Sequence, residues 1–263
     1  MISLEGKTAL ITGSTQGVGR AIAIGVATEG GNVVLHGLHD DAAAQEALAE
    51  CRSLGVTAEL VTSDLLSGST TRCVNSLFDQ ANAAIGSAGQ IDLLVNNAGT
   101  YMDQPFLEMD FETFDRTMKL NVYSYFFLTQ RFAKHWVENS IAGRVLLIGS
   151  INGRLAEPTH AAYDTSKGAV EMMVKSLCVS LAPHNIRVNG LAPGLFNTPL
   201  TAGALEDGQL LDWMKQHTPN GQVPGPEVCA EAAVYLLSDA ARHVHGHMML
   251  IDGGMSAWQQ PDP

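Results

Sequence analysis

The sequence predicts an α/β fold: one seven-stranded, doubly wound parallel sheet with helices on both faces. Three observations predict it. Seven short apolar runs alternate with segments whose apolar residues recur at helical spacing. The 263 residues include 26 glycines and are 46% apolar but only 16% charged, a profile of tight strand-to-helix turns around a large core. No internal repeat, low-complexity stretch or linker interrupts the pattern, so residues 1–255 read as a single domain with a tail at 256–263.

Each element has its own signal. Lys7 to Thr12 (KTALIT) is an apolar run bounded by Gly6 and Gly13, hence a buried strand. Gly13, Gly17 and Gly19 then lead into the helical Arg20-Ala21-Ile22-Ala23-Ile24. Glycines placed between strand and helix let a ligand approach the backbone, and the helix N-terminus offers free N–H groups to a phosphate. Their spacing is GxxxGxG rather than GxGxxG. Asn32 to His36 is strand two, and an aspartate of the pair Asp40-Asp41 caps the next helix. Ala58 to Thr62 is strand three. It ends in Ser63-Asp64-Leu65, where Asp64 reads either as a turn or cap residue or as a carboxylate facing the crevice of an open sheet. Ser69 to Ile85 is helical, and Ile91 to Val95 is strand four, closed by Asn96-Asn97-Ala98-Gly99.

Phe111 to Val137 carries Phe114, Met118, Val122, Phe126 and Phe127 at helical spacing. Asn121 lies inside it, and an amide within an apolar helix reads by itself as a satisfied core group. Arg144 to Gly149 is strand five, followed by Ser150. Thr159 to Leu181 is a helix, and Asn185 to Leu191 is strand six, ending in Ala192-Pro193-Gly194. The mixed stretch Leu195 to Thr218 is expected to form a mobile lid. Pro226 to Ser238 is a helix with Pro226 in its first turn, and Met248 to Ile251 is strand seven, before Asp252-Gly253-Gly254.

Tyr163 and Lys167 stand four apart in the Thr159–Leu181 helix and share one face of it. The ammonium is expected to lower the tyrosine pKa and tune it for general acid–base work. The other reading of the pair is a surface helix with a snorkelling lysine.

Composition excludes several functions. A net charge of −12 makes nucleic acid and anionic membrane poor partners. Cys51, Cys73, Cys178 and Cys229 are scattered and form no CxxC pair, so they read as reduced, packed thiols. Met1 to Gly6 lacks the basic n-region and apolar h-region of a signal peptide, and no apolar run reaches the roughly 18 residues of a membrane span. A cytoplasmic protein is the expectation.

Taken together, Thr12-Gly13-x3-Gly17-x-Gly19, Asp64, Asn96-Asn97-Ala98-Gly99, Asn121, Ser150, Tyr163-x3-Lys167, Pro193-Gly194 and Asp252-Gly253-Gly254 resemble the short-chain dehydrogenase/reductase family over nearly the whole chain. The resemblance implies a Rossmann-type sheet and an NAD(P)-dependent oxidoreductase that interconverts a secondary alcohol and a ketone by hydride transfer. It implies a catalytic set of Asn121, Ser150, Tyr163 and Lys167. Tyr163 is the acid/base, Lys167 also holds the nicotinamide ribose, Ser150 donates to the substrate oxygen, and Asn121 holds a water that links Lys167 to solvent. The cofactor is expected along Gly13, Thr15, Gln16, Gly17, Val18 and Gly19, then Leu38, Asp64, Leu65, Asn97, Ala98 and Gly99. The nicotinamide end falls to Tyr163, Lys167, Pro193, Gly194, Phe196 and Thr198. The first three glycines line the pyrophosphate and Asp64 meets the adenine. A non-catalytic redox sensor of the same fold is the reading from another class, and the complete catalytic set argues for turnover.

Where an NAD-binding relative places an acid after strand two, this chain has Gly37, followed by Leu38. Neither Leu38 nor Gln16 is basic, so NAD is the expected cofactor. NADP remains open through a protonated His36 or His39. The substrate is expected to be small and polar or sugar-like, met by Ser150, Asn152, His160, Tyr163 and Leu195. A 3-oxoacyl thioester of acyl-carrier protein is the alternative. Asn152 and His160 read equally as loop-shaping residues. His243, His245 and His247 alternate as metal ligands can, but no fourth ligand is near in sequence, and no metal is expected. The resemblance also implies a homotetramer, or a homodimer, built on the helices around Asn121 and Tyr163.

Overall fold

All seven strands are parallel and lie in the order β3-β2-β1-β4-β5-β6-β7. The structure is a computed structural model and describes residues 2–86, 89–199, 201 and 208–258. The strands are β1 Thr8–Ile11, β2 Asn32–Gly37, β3 Ala58–Thr62, β4 Leu93–Asn96, β5 Arg144–Ile148, β6 Arg187–Pro193 and β7 Met248–Ile251. Leu10 pairs with Val34 on one side and Leu94 on the other, so the winding reverses between β1 and β4. A crevice opens at the carboxyl ends of the strands where this reversal occurs.

The helices are α1 Gly17–Thr28, α2 Ala42–Ser53, α3 Thr70–Ile85, α4 Phe111–Met118, α5 Ser124–Glu138, α6 Ala161–Leu181, α7 Gly208–His217 and α8 Val228–Leu237. Strand residues alternate between two apolar layers, as the pleat requires. Leu10, Val34, Leu94 and Leu147 pack with Leu77, Phe132, Trp136 and Val170 of α3, α5 and α6. Ile11, Leu35, Val95 and Leu146 pack with Ile22, Leu48 and Val234 of α1, α2 and α8. Each such side chain contributes about 1.5–3 kcal/mol on burial, which is why the sheet is covered on both faces.

Among the described residues three α-helices begin with a side-chain cap. Asp41 accepts from Ala44 N at 3.0 Å, Ser69 from Arg72 N at 3.4 Å, and Asp110 from Thr113 N at 2.7 Å. α1 differs, because Gln16 makes no capping bond and the first turn holds no acid.

Several boundaries depart from the sequence reading. The helix expected over Phe111–Val137 is one path in three parts, with a π-helical turn at Lys119–Tyr123 between α4 and α5. Phe114, Phe126 and Phe127 of the expected apolar face are exposed, whereas Tyr125, Leu128, Phe132 and Trp136 are buried, so periodicity alone does not reveal the π turn. β6 starts at Arg187 and continues to Pro193, because Ala192 and Pro193 pair with Leu250 and Ile251. β4 is Leu93–Asn96, and α8 starts at Val228, two residues after Pro226. Of the expected lid, Leu195–Pro199 is irregular and 208–217 forms α7. Residues 200, 202–207 and 259–263 of the lid and tail lie outside the described residues. Among the described residues no helix is long and apolar enough to cross a membrane.

Candidate active site

A cleft of about 510 Å³ crosses the carboxyl end of the sheet. Gly13, Thr15, Gln16, Gly17 and Val18 line it from the β1–α1 turn, and Leu38, Asp64 and Leu65 from the ends of β2 and β3. Asn97, Ala98 and Gly99 follow β4, Ser150 follows β5, Tyr163 and Lys167 come from α6, and Pro193, Gly194, Phe196 and Thr198 come from the end of β6. Residues as far apart in sequence as Gly13 and Thr198 therefore meet along one wall because the strands end there.

The β1–α1 turn is tied to β4. Thr12 Oγ1 accepts from Asn97 N at 2.9 Å and from Ala98 N at 3.0 Å. Asn97 Nδ2 returns two bonds of 2.9 Å to the Thr12 and Gly13 carbonyls. Gly19 belongs to this joint rather than to the cleft wall. A Cβ there would overlap the Gly13 carbonyl oxygen and the Asn97 amide, so glycine lets α1 close onto the turn. Gly19, expected along the pyrophosphate, thus lies in the packing between α1 and the turn.

His36 also borders the cleft. Gly13 N donates to its Nδ1 at 3.1 Å, so the proton sits on Nε2 and is donated to the Ser63 carbonyl at 3.1 Å. Burial pushes its pKa down to about 4, and the Ser63 bond only partly opposes this. Burial thus favours the neutral form of His36, which removes one of the two histidines, His36 or His39, through which NADP stays open. Gly37 leaves no room for an acid, since a Cβ there would meet Thr15 Cγ2 at 2.6 Å.

At the other end, Lys167 is buried, and its Nζ donates to the Ile148 carbonyl at 2.9 Å. The ammonium stands 5.5 Å from the Tyr163 ring centroid and 5.8 Å from that of Tyr125. Burial lowers the Lys167 pKa to about 8. Tyr163 is half-buried, and its pKa is raised to about 12, first by burial and then by the Asp164 and Glu157 charges and Tyr101. The Ser150 hydroxyl opposes the rise. The shift runs opposite to the expected depression: desolvation of the phenolate is its largest cause, and Lys167 is not among the groups that move it.

Asn121 is buried, and both its amide N–H groups are engaged, by the Thr100 carbonyl at 2.8 Å and Ser166 Oγ at 3.0 Å. Its oxygen accepts from Thr100 N at 2.9 Å. It sits beneath the cleft, in the π turn, and braces the strand-four loop against α6.

Of the expected substrate residues, Ser150 and Tyr163 line the cleft, while Asn152, His160 and Leu195 do not. Asn152 Nδ2 is committed to Glu157 at 3.1 Å and Asp164 at 2.9 Å, the loop-shaping alternative. His160 Nε2 meets Asp103 at 2.7 Å, and its ring packs edge-on to Tyr101 and Tyr163 at 5.5 and 6.1 Å. Tyr101, 6.0 Å from Tyr163 between ring centroids, escaped the sequence reading, as did Arg116 on the cleft wall and Ser166 under Asn121. Tyr101 directly follows the Asn-Asn-Ala-Gly-Thr stretch, which was its only signal. Among the described residues no group of three or more His, Cys, Asp or Glu side chains is placed to hold a metal ion.

The donor set fits a dinucleotide. α1 presents an uncapped N-terminus with no competing acid, facing a wall of glycines and small side chains.

A family model described as Enoyl-(Acyl carrier protein) reductase matches residues 13–256. The chain is 34% identical over 252 residues to an L-rhamnose 1-dehydrogenase (NAD(P)(+)) of Sphingomonas sp. (strain SKA58), covering 96% of this chain and 97% of the relative. It is 34% identical over 255 residues to a 5-keto-D-gluconate 5-reductase of Escherichia coli (strain K12), covering 97% of each. The crystal structure of a gluconate 5-dehydrogenase from Burkholderia cenocepacia J2315 in complex with NADP and tartrate matches with a TM-score of 0.89 at 32% identity, over 98% of each chain.

Proposed function

The chain belongs to the short-chain dehydrogenase/reductase family, and from that premise we propose that it oxidises or forms a secondary hydroxyl on a small, polyhydroxylated, sugar-like substrate. It is an NAD(P)-dependent oxidoreductase acting on CH–OH groups. The observation that carries the reading is the convergence of Ser150, Tyr163 and Lys167 on one wall of a cleft whose far end is the uncapped N-terminus of α1.

The roles follow from position. A nicotinamide cofactor held in this cleft would supply or accept the hydride. The α1 N–H groups and the Gly13–Val18 turn bind the diphosphate, and Asp64 and Leu65 border the adenine end. Ser150 and Tyr163 donate to the substrate oxygen as negative charge grows on it, and Tyr163 supplies the proton in reduction or removes it in oxidation. Lys167 holds the nicotinamide ribose and brings a positive charge to the phenolate. Asn121 holds a connecting water through an acceptor oxygen alone, since its N–H groups are engaged. NAD is the preferred cofactor and NADP is accepted, because the adenosine end offers neither an acid at Gly37 nor a cation at His36.

The protein acts in the cytoplasm as a homotetramer, or as a homodimer. Half-exposed Tyr123, Phe126 and Phe127 on the α5 side and Met172 and Val179 on α6 supply an apolar face for a second copy. A native mass measurement tests this.

The activity test offers NADH and NADPH with keto sugars and, separately, acetoacetyl thioester, using Tyr163→Phe as the blank. Turnover of keto sugars supports the reading. Turnover of the thioester alone assigns the chain to the reaction class for which its family model is named.

A further inference from the structure

Two loops meet beside Tyr163, and a few polar contacts fasten them together. The first loop follows β4. One end is anchored where Thr100 N donates to Asn121 Oδ1 at 2.9 Å and Asn121 Nδ2 donates to the Thr100 carbonyl at 2.8 Å. At the other end Gln104 N donates to the Thr159 carbonyl at 3.0 Å, and Thr159 Oγ1 donates to Asp103 Oδ1 at 2.9 Å. Thr159 and His160 close the second loop, directly before α6. His160 Nε2 lies 2.7 Å from the same Asp103 oxygen, and its side chain is only 15% exposed, so the contact is fixed on the imidazole side.

Tyr101 lies between the two anchors. The rings of Tyr101, His160 and Tyr163 form a closed triangle, each pair edge-on, with centroids 5.5, 6.0 and 6.1 Å apart. Edge-to-face contacts fix the orientation of a ring as well as its distance. Neither Tyr101 nor His160 lines the cleft, so their path to the chemistry runs through Tyr163, which does. His160 reaches Tyr163 from one turn earlier in the chain. Tyr101 comes from the other loop and stays only while that loop is held.

From this geometry we infer that the Asp103–His160 contact is a clasp that orients the Tyr163 phenol, with Asp103, His160 and Tyr101 as positioning residues. The inference rests on the reading of Tyr163 as the acid/base. The phenol has to be aligned with the substrate oxygen, and a misplacement of about 1 Å can cost about 10²-fold in rate. Opening the clasp releases the segment between Thr100 and Gln104 and withdraws Tyr101 from the Tyr163 ring.

The test follows reduction of 5-keto-D-gluconate by NADH in Asp103→Ala, His160→Ala, their double variant and Asp103→Asn. In each alanine variant kcat should fall about tenfold or more, with the NADH dissociation constant held within about twofold. The double variant should be no slower than the slower single, because one contact is lost in all three. Asp103→Asn, whose amide oxygen keeps both contacts, should stay within about threefold of wild type. Fluorine NMR of protein carrying 3-fluorotyrosine reads the clasp without turnover, and so decides it whatever the substrate. The Tyr163 line, assigned by its loss in Tyr163→Phe, should be single in wild type and broadened or split in both alanine variants. Tyr101→Leu removes the ring and leaves the clasp. It should disturb the same line, which keeps the inference open to failure if an alanine variant does not fold. Losses that multiply in the double variant, an equal loss of NADH affinity, an Asp103→Asn as slow as Asp103→Ala, or an undisturbed Tyr163 line overturns the inference and leaves the acid/base reading standing. Wild-type turnover in Tyr163→Phe overturns that reading, and the inference with it.

Discussion

The cleft has two buried titratable centres, and they are built in opposite ways. At the β1–β2 end, His36 has a protein partner on each ring nitrogen and is held neutral, with a pKa near 4. At the β5–α6 end, Lys167 has one backbone partner, and Tyr163 is only half-buried beside Ser150, yet both are shifted by burial, to about 8 and about 12. Burial and a shifted pKa are thus common to a structural residue and to the candidate acid/base. What separates them is the state of their polar atoms. Those of His36 are satisfied within the fold, whereas the phenol of Tyr163 borders open cleft.

The largest effect should come from the open end. Tyr163→Phe should lower kcat by about 10²–10⁴-fold while changing the NADH dissociation constant only a few-fold. Single-turnover kinetics with a parallel binding titration measures both. A comparable loss in cofactor affinity would mean that the two ends are not separable.

The next effect belongs to His36. The unfolded chain takes a proton near pH 6.5, and the folded one only near pH 4. Between those values the unfolded state binds more protons, so stability falls as pH is lowered. This one group costs up to about 3 kcal/mol by pH 4 and nothing above about pH 7. Urea midpoints at pH 7 and pH 4.5 should converge in His36→Asn. Identical pH slopes in the two proteins would remove His36 as the cause.

Gly19→Ala sharpens the contrast within the closed end. Overpacking against Gly13 and Asn97 should cost about 1–3 kcal/mol, seen as a Tm drop of about 2–4 °C per kcal/mol. The smallest predicted effect has opposite signs in the two states of the site. Gln16→Asp would cap α1 and stabilise the protein without cofactor by about 1 kcal/mol. It should also weaken NADH binding about tenfold, because the new carboxylate occupies and repels the diphosphate position. Thermal shift with and without NADH reads both halves, and a gain in both states would place the diphosphate elsewhere.

The fold was legible because its signals are local. Seven apolar runs, alternating with helical spacing and closed by glycine or asparagine turns, can be read without knowing what each packs against, and the sheet bears out their order and number. The residues that line the cleft were legible for a related reason. In a doubly wound sheet the strand ends converge, so Gly13, Asp64, Asn97 and Ser150 could be placed from the ends of their strands. Gly19 and Asn152 show where that logic stops. Both lie within the right motifs, yet one is a packing joint and the other a loop brace, because a motif specifies the neighbourhood and not the direction of a side chain.

What the sequence determined by itself was therefore the element order, the sheet class and the stretch of chain holding each candidate group. Tertiary structure decided the rest. The π turn that holds Asn121 spans Lys119–Tyr123 inside one helical path and leaves no mark in the sequence. The neutrality of His36 depends on Gly13 and Ser63, 23 and 27 residues away. The direction of the Tyr163 shift depends first on how much water the folded chain excludes from the phenol. Protonation is set by solvation and by distance between groups remote in sequence, and neither quantity exists until the chain has packed.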